Sequence, residues 1–530
     1  MKKILNIFLL ALSFTLITAC DSGFDDMNTS KSGATSLDPV FILNNAIISS
    51  SPTTSQIYEM ASVQQWFSSN TGVLEGGNFN KIVVNNTPAN WQNYYRNVIK
   101  YTNDVISRIG SDPALANRTN LLHMARIIQA NAFLILTDTY GDIPYSEAGG
   151  GYSDQAFFPT YETQQTIYPK IIDELSQATA ALDPAARIET GDVLYAGNIA
   201  KWKRFGYSLL LRAGMRLSKA DPTKAAATVA AANAGGVILT IADNAIIRHD
   251  ANFINGYGNT VNGGEAANYY LAEPFVNALK TRNDPRLSSI AIRYGGARNG
   301  GDQTANSFGN GSTAAANQFG VPIGSTDGAA DISGALLPAG GSYGSPAAPR
   351  TGTRFCYSQV DRNRIVKRTS PMFLVTAGQS NLLLAEARVR GYITTGTASG
   401  YFQAGIRAHM DQMVSYDPGC AVSGTNRDNY IASAAGTLDE STTAASIAQI
   451  GYEYWVASFL HGPEAWANFR RTGAPALTPN PFSGSETPGG FINRLPYPNS
   501  EVLVNGSNVA AAIAGLGGPD DLNTKVWWNK

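Results

Sequence analysis

Three carboxylates, Asp138, Asp142 and Glu147, stand close together in the stretch 136–148, Leu-Thr-Asp-Thr-Tyr-Gly-Asp-Ile-Pro-Tyr-Ser-Glu-Ala. Two facing carboxyl groups are enough for the acid–base chemistry of a glycoside hydrolase. The same stretch ends an apolar helical run that Gly141 interrupts, and carboxylates at such an exit often cap turns or pair with arginine. The spacing leaves two interpretations open, an acidic active site or a corner of a helical scaffold.

Other acidic residues offer weaker candidates for catalysis. They are Asp173, Glu174, Glu265 and Glu464. Asp284-Pro-Arg286 indicates a turn with an internal ion pair. Glu464, Trp466 and Arg470 fall on adjoining faces of one predicted helix. That spacing favours an internal salt bridge with tryptophan packing over a site for phosphate or a substrate carboxylate.

Histidine chemistry and phosphate chemistry have no motif in this sequence. The four histidines, His123, His249, His409 and His461, show no metal-ligand spacing, and there is neither a P-loop nor a Gly-x-Ser-x-Gly turn. We therefore predict no metal site and no cofactor. The 39 basic and 40 acidic side chains nearly balance, which argues against a nucleic-acid partner.

Aromatic residues in uncharged loops give a more informative signal. Flat apolar rings can pack on the faces of pyranose sugars, while amide groups can satisfy the hydroxyls. Peptides can use the same rings and amides, so both ligand classes stay open. The predicted ligand contacts are Trp66, Asn70, Tyr257, Asn268, Tyr269 and Tyr343.

The N-terminus has the pattern of a secretion signal. Lys2 and Lys3 precede an apolar run at 4–18 that is too short to span a bilayer. The run ends in Ile17-Thr-Ala-Cys20, which is typical of a bacterial lipoprotein signal, although an ordinary cleavage site with an incidental cysteine is the alternative. We expect a signal peptide at 1–19, a lipid-anchored tether from Cys20 to residue 36, and a single domain at 37–530.

Two further cysteines, Cys356 and Cys420, remain once Cys20 carries lipid. An even pair in an exported protein is compatible with a disulfide. Two buried free thiols explain the sequence equally well, and the sequence separation does not decide between them.

Hydrophobic periodicity predicts a mainly α-helical chain built from helix pairs. The predicted pairs are 90–109 with 117–140, 161–182 with 198–219, 372–390 with 398–414, and 442–460 with 463–471, preceded by helices at 37–50 and 55–69. Such pairs suggest a superhelical stack similar to tetratricopeptide repeats. Between the second and third pairs, residues 237–350 form a long irregular segment, which is more often a binding surface than filler.

Taken together, the motifs resemble the SusD/RagB family of nutrient-binding outer-membrane lipoproteins, in its SusD-like branch, over nearly the whole mature chain. Besides 136–148, the matching pieces are Phe24-Asp-Asp-Met-Asn28, Trp91-Gln-Asn-Tyr-Tyr95, Trp202-Lys-Arg-Phe205, Ser208-Leu-Leu-Leu-Arg212, Asp284-Pro-Arg-Leu287, Leu384-Ala-Glu-Ala387, Gly462-Pro-Glu-Ala-Trp466, Arg470-Arg-Thr-Gly473 and Leu495-Pro-Tyr-Pro498. Two positions depart from the pattern: Gln379 replaces an acidic residue, and Pro463 replaces a helix former.

The resemblance implies four tetratricopeptide-like helix pairs with the irregular segment packed on one side. It implies a protein that is held at the outer membrane by lipid on Cys20 and faces the cell exterior. There it would capture an oligosaccharide or an oligopeptide and act as the lid of a SusC-like TonB-dependent transporter. No enzyme chemistry is implied. The competing hypotheses are a surface glycoside hydrolase and a purely structural helical scaffold.

Overall fold

The computed structural model describes residues 37–51, 67–68, 72–84, 87–151, 155–262, 267–294, 297, 300–303, 311–325 and 354–530. The predicted signal peptide, the tether and most of the predicted helix 55–69 lie outside these residues. None of the helices within them is long and apolar enough to cross a membrane.

Helices dominate the described chain, as the sequence predicts. They are α1 (Pro39–Ser49), α2 (Gly72–Phe79), α3 (Ala89–Asn93), α4 (Lys100–Ser111), α5 (Thr119–Tyr140), α6 (Gln164–Ala181), α7 (Ile199–Arg216), α8 (Pro222–Gly235), α9 (Gly256–Val261), α10 (Glu273–Thr281), α11 (Arg286–Ile290), α12 (Ala377–Val389), α13 (Ala398–Gln412), α14 (Gly424–Ala432), α15 (Thr443–Ala457), α16 (Gly462–Thr472), α17 (Asn499–Val504) and α18 (Gly506–Gly515). A π-helical segment, Tyr94–Ile99, joins α3 to α4.

In the described part of the chain the strands are short, and each pairs with one other strand. They are β1 (Phe67–Ser68), β2 (Ile143–Pro144), β3 (Tyr161–Glu162), β4 (Ala245–Ile247), β5 (Tyr270–Leu271), β6 (Ala291–Arg293), β7 (Ser358–Val360) and β8 (Met372–Val375). All pairs are antiparallel: β1 with β5, β2 with β3, β4 with β8, and β6 with β7.

Four helix pairs form the predicted tetratricopeptide-like stack, which confirms the fold class. The chain from α3 to α4 packs on α5, α6 on α7, α12 on α13, and α15 on α16. Neighbouring pairs also touch, since α5 packs on α6 and α7 on α12. Helix α16, the last helix of the fourth pair, also packs on α5 of the first pair. The apolar faces of these helices share one large buried core.

Polar residues at the helix starts explain why the helices begin where they do. Side chains of Thr163, Asn198, Thr397 and Thr442 each accept a hydrogen bond from a backbone amide in the first turn. Helix α12 begins with a capping box, in which Thr376 and Gln379 bond to each other's backbone amides. Gln379 thus supplies the acceptor that an acidic residue would provide at this position.

Three predicted helices differ from the structure at their ends. The helix expected at 161–182 begins only at Gln164, because Tyr161–Glu162 forms strand β3 on β2. The helix expected at 372–390 begins only at Ala377, because Met372–Val375 forms strand β8 on β4. All four residues of that strand are buried, and a fully buried apolar run has no period that separates strand from helix. Phe67–Ser68, inside the helix predicted at 55–69, forms strand β1.

The exit of α5 is a turn, as Gly141 and Pro144 predict. Gly141 has a φ of 86°, a conformation that side chains with a Cβ rarely adopt. The Thr137 hydroxyl donates to the Gly141 carbonyl at 2.7 Å, and Pro144 then enters strand β2. Elsewhere, Cys356 and Cys420 are buried free thiols, so the free-thiol interpretation is the one that holds.

Candidate functional site

Buried charges cluster where the exit of α5 meets α7 and α16. The Nε of Arg216 donates to Oδ2 of Asp138 at 3.0 Å, and its Nη2 donates to Oε2 of Glu464 at 2.7 Å. The Nε of Arg212 lies 3.1 Å from the same Glu464 oxygen. Two carboxylates therefore share two guanidinium groups, an arrangement that neutralises the charges inside the core.

Neutral donors complete this network. The Tyr168 hydroxyl and the Trp528 indole both donate to Oδ1 of Asp138, the indole at 2.8 Å. The Tyr454 hydroxyl donates to Oε1 of Glu464 at 2.7 Å. Every oxygen of these two carboxylates accepts a hydrogen bond from the protein. We therefore interpret the network as one that stabilises the fold.

The two carboxyl groups differ in pKa because their partners differ. Burial raises the pKa of Asp138 above its ordinary value, and the nearby guanidinium of Arg216 opposes this effect only in part. Burial would also raise the pKa of Glu464, but Arg212 and Arg216 outweigh it and lower that pKa to about 2. Both side chains are buried in the core, where their hydrogen bonds and ion pairs join neighbouring helices.

The other acidic candidates that the structure describes also make bonds within the protein. Asp142 accepts from the Gln164 backbone amide at 2.8 Å, and Glu147 accepts from that of Thr160 at 2.7 Å. Glu174 pairs with Arg126, and Asp173 lies on the surface with Lys224 as a distant partner. Asp284 pairs with Arg286 at 2.5 Å, which confirms the predicted internal ion pair. Glu265 lies outside the described residues.

The predicted salt bridge of α16 has a different partner from the one expected. Glu464 pairs with the arginines of α7, whereas Arg470 stacks on Trp466, with its guanidinium carbon 3.7 Å from the ring centroid. The tryptophan packing is confirmed. The sequence could not place Arg212 and Arg216 beside Glu464, because they lie about 250 positions earlier.

Short strands from distant parts of the chain form a second assembly, which we call the loop platform. It comprises β1, β5, β6, β7 and residues 311–325. Phe67 pairs with Leu271 and Ser68 with Tyr270. On the other side of β5, the Val321 amide donates to the Leu271 carbonyl at 2.8 Å.

Side chains tie the two halves of the loop platform together. The Gln359 amide of β7 donates to the Tyr269 carbonyl at 3.1 Å. The Phe319 ring contacts two cations, since Lys280 Nζ is 4.3 Å and the Arg293 guanidinium carbon 4.7 Å from its centroid. Cation–π contacts of this kind hold the ring in place without a hydrogen bond.

The predicted ligand contacts occupy different depths. Tyr257 in α9 is 2% exposed and Tyr269 beside β5 is 1% exposed, so protein atoms cover both rings and a ligand would reach them only if those atoms moved. Asn268 is half-buried. Trp66, Asn70 and Tyr343 lie outside the described residues. Ligand contact by this set therefore stays a prediction.

Strand pairing nevertheless joins two described strands that are sequence neighbours of four of these residues. Trp66 and Asn70 flank β1 in sequence, and Asn268 and Tyr269 directly precede β5. The β1–β5 pairing joins positions about 200 residues apart. Sequence reasoning missed β6 and β7. The apolar run Ile290-Ala-Ile292 was the available signal for β6, whereas Ser358–Val360 of β7 has no comparable run.

Comparison with known families gives a match over most of the chain. Residues 31–498 match the SusD-like family, described as starch-binding and associating with the outer membrane. A comparison with curated proteins finds no match.

Solved structures of this type superimpose on nearly the whole chain. A chitin-binding protein is 28% identical, with a TM-score of 0.77 over 93% of this chain and 100% of the other. A SusD-like protein of Bacteroidetes is 24% identical, with a TM-score of 0.80 over 93% and 100%. A chitin-binding SusD homologue from Flavobacterium johnsoniae is 22% identical, with a TM-score of 0.73 over 93% and 98%. The last two, below 25% identity, support the fold alone.

Proposed function

This chain belongs to the SusD-like family, and we propose that it is a cell-surface lipoprotein that captures oligosaccharide at the outer membrane. It delivers the sugar to a SusC-like TonB-dependent transporter and acts as the lid of that transporter. Lipid on Cys20 holds the protein at the membrane, through the tether that ends at residue 36. The family match over residues 31–498 carries this proposal.

Two observations support oligosaccharide as the ligand class. The relative that is 28% identical is a chitin-binding protein, and it aligns over its entire length. In addition, strand β5 pairs with strand β1, and Trp66 and Asn70 flank β1 in sequence. An aromatic ring and amides provide the stacking surface and the hydrogen bonds that a sugar needs.

The six proposed residues have two roles. Trp66, Asn70, Asn268 and Tyr343 make the proposed contacts with the sugar. Tyr257 and Tyr269 have a supporting role, since both rings are buried in the main core and reach the ligand only if covering atoms move. On this proposal the ligand rests on the loop platform, and the helix stack supports the platform.

The ligand class can be tested by calorimetry with three probes on the protein lacking residues 1–20. Chitohexaose and maltohexaose represent two neutral glycans, and a hexa-alanine peptide represents the oligopeptide alternative. We expect heat of binding with at least one glycan and none with the peptide. Binding of the peptide alone would reject oligosaccharide and leave the peptide-uptake role. Reducing ends released from a bound glycan would indicate the hydrolase instead.

A further inference from the structure

A concavity of about 530 Å³ opens at the edge of the loop platform, and none of the predicted ligand contacts that the structure describes lines it. Its walls come from the end of α10, the turn into α11, residues 315–316 and helix α14. Two cations and three asparagines line it: Lys280, Arg282, Asn283, Asn426 and Asn429. This composition differs from the uncharged loops around it.

Both cations are held in place by contacts that leave their charge uncompensated. Lys280 Nζ donates to the carbonyls of Ala316 and Gln318, at 3.3 and 2.9 Å. The Arg282 guanidinium carbon lies 3.6 Å from the centroid of the Tyr452 ring. Among the residues that the structure describes, no carboxylate lies within salt-bridge distance of either side chain.

The pKa of Lys280 is consistent with this lack of a negative partner. Burial lowers it below its ordinary value, and the nearby positive charge of Arg293 lowers it further. An anion placed next to the ammonium would oppose both effects. A carboxylate beside the ammonium would favour its charged form and so raise the pKa of Lys280. The hydrogen bond between the two groups would be charge-assisted and therefore stronger than a neutral one.

Three carboxamides are available on the same walls. Asn283, Asn426 and Asn429 are exposed, and their side chains make no hydrogen bond to any described part of the protein. Asn283 has a φ of 52°, a left-handed conformation that asparagine tolerates better than most residues. Each carboxamide offers both a donor and an acceptor to hydroxyl or amide groups of a ligand.

The floor of the concavity offsets only part of the positive charge. Asp284 is buried there and forms its ion pair with Arg286, which also pairs with Glu453 at 2.7 Å. The Tyr430 hydroxyl donates to the other oxygen of Glu453 at 2.7 Å. These carboxylates are therefore turned to partners in the core, while Lys280 and Arg282 stand at the walls.

We propose that this concavity binds the carboxylate of an acidic ligand unit, with Lys280 and Arg282 taking the charge and the asparagines taking the adjacent polar groups. The carboxylate can belong to a uronic-acid sugar or to the free C-terminus of a peptide. The proposal goes beyond the neutral-sugar contacts on the loop platform, because the two sites use different residues and different chemistry.

Calorimetry with four probes tests this site: trigalacturonic acid, chitotriose, tri-alanine and tri-alanine amide. We expect a carboxylate-bearing probe to bind and its neutral counterpart to bind at least about tenfold more weakly. Binding of the acidic sugar assigns a uronate, and binding of free but not amidated tri-alanine assigns a peptide terminus. Raising the NaCl concentration from about 20 to about 200 mM should weaken the binding.

Two variants separate this site from the rest of the molecule. Arg282→Gln should weaken binding of the acidic probe about tenfold, and Asn429→Ala on the exposed face of α14 should weaken it by a smaller factor. The matched control is Arg204→Gln, whose side chain is 45% exposed on α7 and pairs with Asp243. Neither Arg282→Gln nor Asn429→Ala should alter binding of chitohexaose.

The proposal is overturned if acidic and neutral probes bind equally, or if Arg282→Gln and Asn429→Ala both bind the acidic probe like the wild type. It stands even if no neutral glycan binds, provided that the acidic probe binds and depends on Arg282. In that case the proposed neutral-sugar capture fails and the carboxylate site remains. The two outcomes are thereby distinguishable.

Discussion

The indole Nε1 of Trp528 donates a hydrogen bond of 2.8 Å to Oδ1 of Asp138, across 390 positions of sequence. Both side chains are buried. Asp138 belongs to the acidic stretch at the exit of α5, and Trp528 stands in the C-terminal segment that ends at Lys530. The carboxylate that first suggests catalysis therefore anchors the C-terminal segment to the helix stack.

Asp138→Ala should destabilise the protein strongly. The substitution leaves the buried guanidinium of Arg216 with one carboxylate fewer and removes the acceptor for two neutral donors. We expect the free energy of unfolding to fall by about 3–5 kcal/mol, as when one partner of a buried pair is deleted. Urea denaturation monitored by circular dichroism measures this change.

The control for this prediction is Asp173→Ala on the surface of α6. Its side chain is 62% exposed, and Lys224 is 3.9 Å away. A change within about 0.5 kcal/mol is expected there. Equal losses for the two variants would contradict a structural role for Asp138.

Trp528→Phe should cost less, because an aromatic ring is kept while the indole N–H is lost. We expect a loss of about 1–2 kcal/mol in the free energy of unfolding. In the Asp138→Ala background the same substitution should have a smaller effect, since the acceptor is already gone. Purely additive effects in this double-mutant cycle would show that the bond contributes nothing.

Acid should destabilise the protein through its buried histidines. Burial, followed by the nearby charge of Arg212, lowers the pKa of His461 from 6.5 to about 3 in the folded state. The unfolded chain therefore takes up a proton at higher pH than the folded chain. The stabilisation is complete above about pH 6.5 and is lost as the pH falls from there toward about 3.

For His461, the resulting loss in the free energy of unfolding amounts to about 2 kcal/mol at about pH 5. His461→Gln, which cannot titrate, should make the free energy of unfolding fall less between about pH 7.5 and about pH 5. His123→Gln serves as the comparison, because its ring is only half-buried. An unchanged pH slope in His461→Gln would contradict the assignment of this loss to His461.

Cys20→Ser should release the protein from the membrane. The hydroxyl cannot replace the thiol in lipidation, and the mature chain then has no acyl group to insert into the bilayer. In a host that processes lipoproteins, the wild type should fractionate with outer membranes and carry lipid by mass spectrometry. Equal recovery of the variant in washed membranes would argue against the anchor.

The helix stack could be predicted because its signals are local. Apolar positions recur at helical spacing along α5 and α6, and the starts predicted at residues 161 and 442 lie close to the observed starts at Gln164 and Thr443. The helix start predicted at residue 372 was wrong, because the short run of buried apolar residues in β8 has no distinguishing period. Helix α8, rich in alanine, lacked the apolar stripe on which the prediction of helices relied.

The loop platform and the concavity could not be predicted, because their contacts are long-range. Phe67 meets Leu271 through two-residue strands, which have no detectable alternation. Arg282 and Asn429 line the same concavity although about 150 residues separate them. The burial of Tyr269 was likewise not predictable, since small and polar residues precede it in sequence and give no sign of a core position.

Binding of a neutral glycan by a Trp66 variant is the most direct test of oligosaccharide capture. Calorimetry with the hexasaccharide that binds the wild type should show a loss of affinity of at least about tenfold for Trp66→Ala, since stacking on an aromatic ring contributes about 1–3 kcal/mol. The matched control is Phe157→Ala, which removes an aromatic ring that is 65% exposed. A loss in Trp66→Ala with wild-type affinity in Phe157→Ala is the predicted result. Wild-type affinity in both variants would contradict the proposed site.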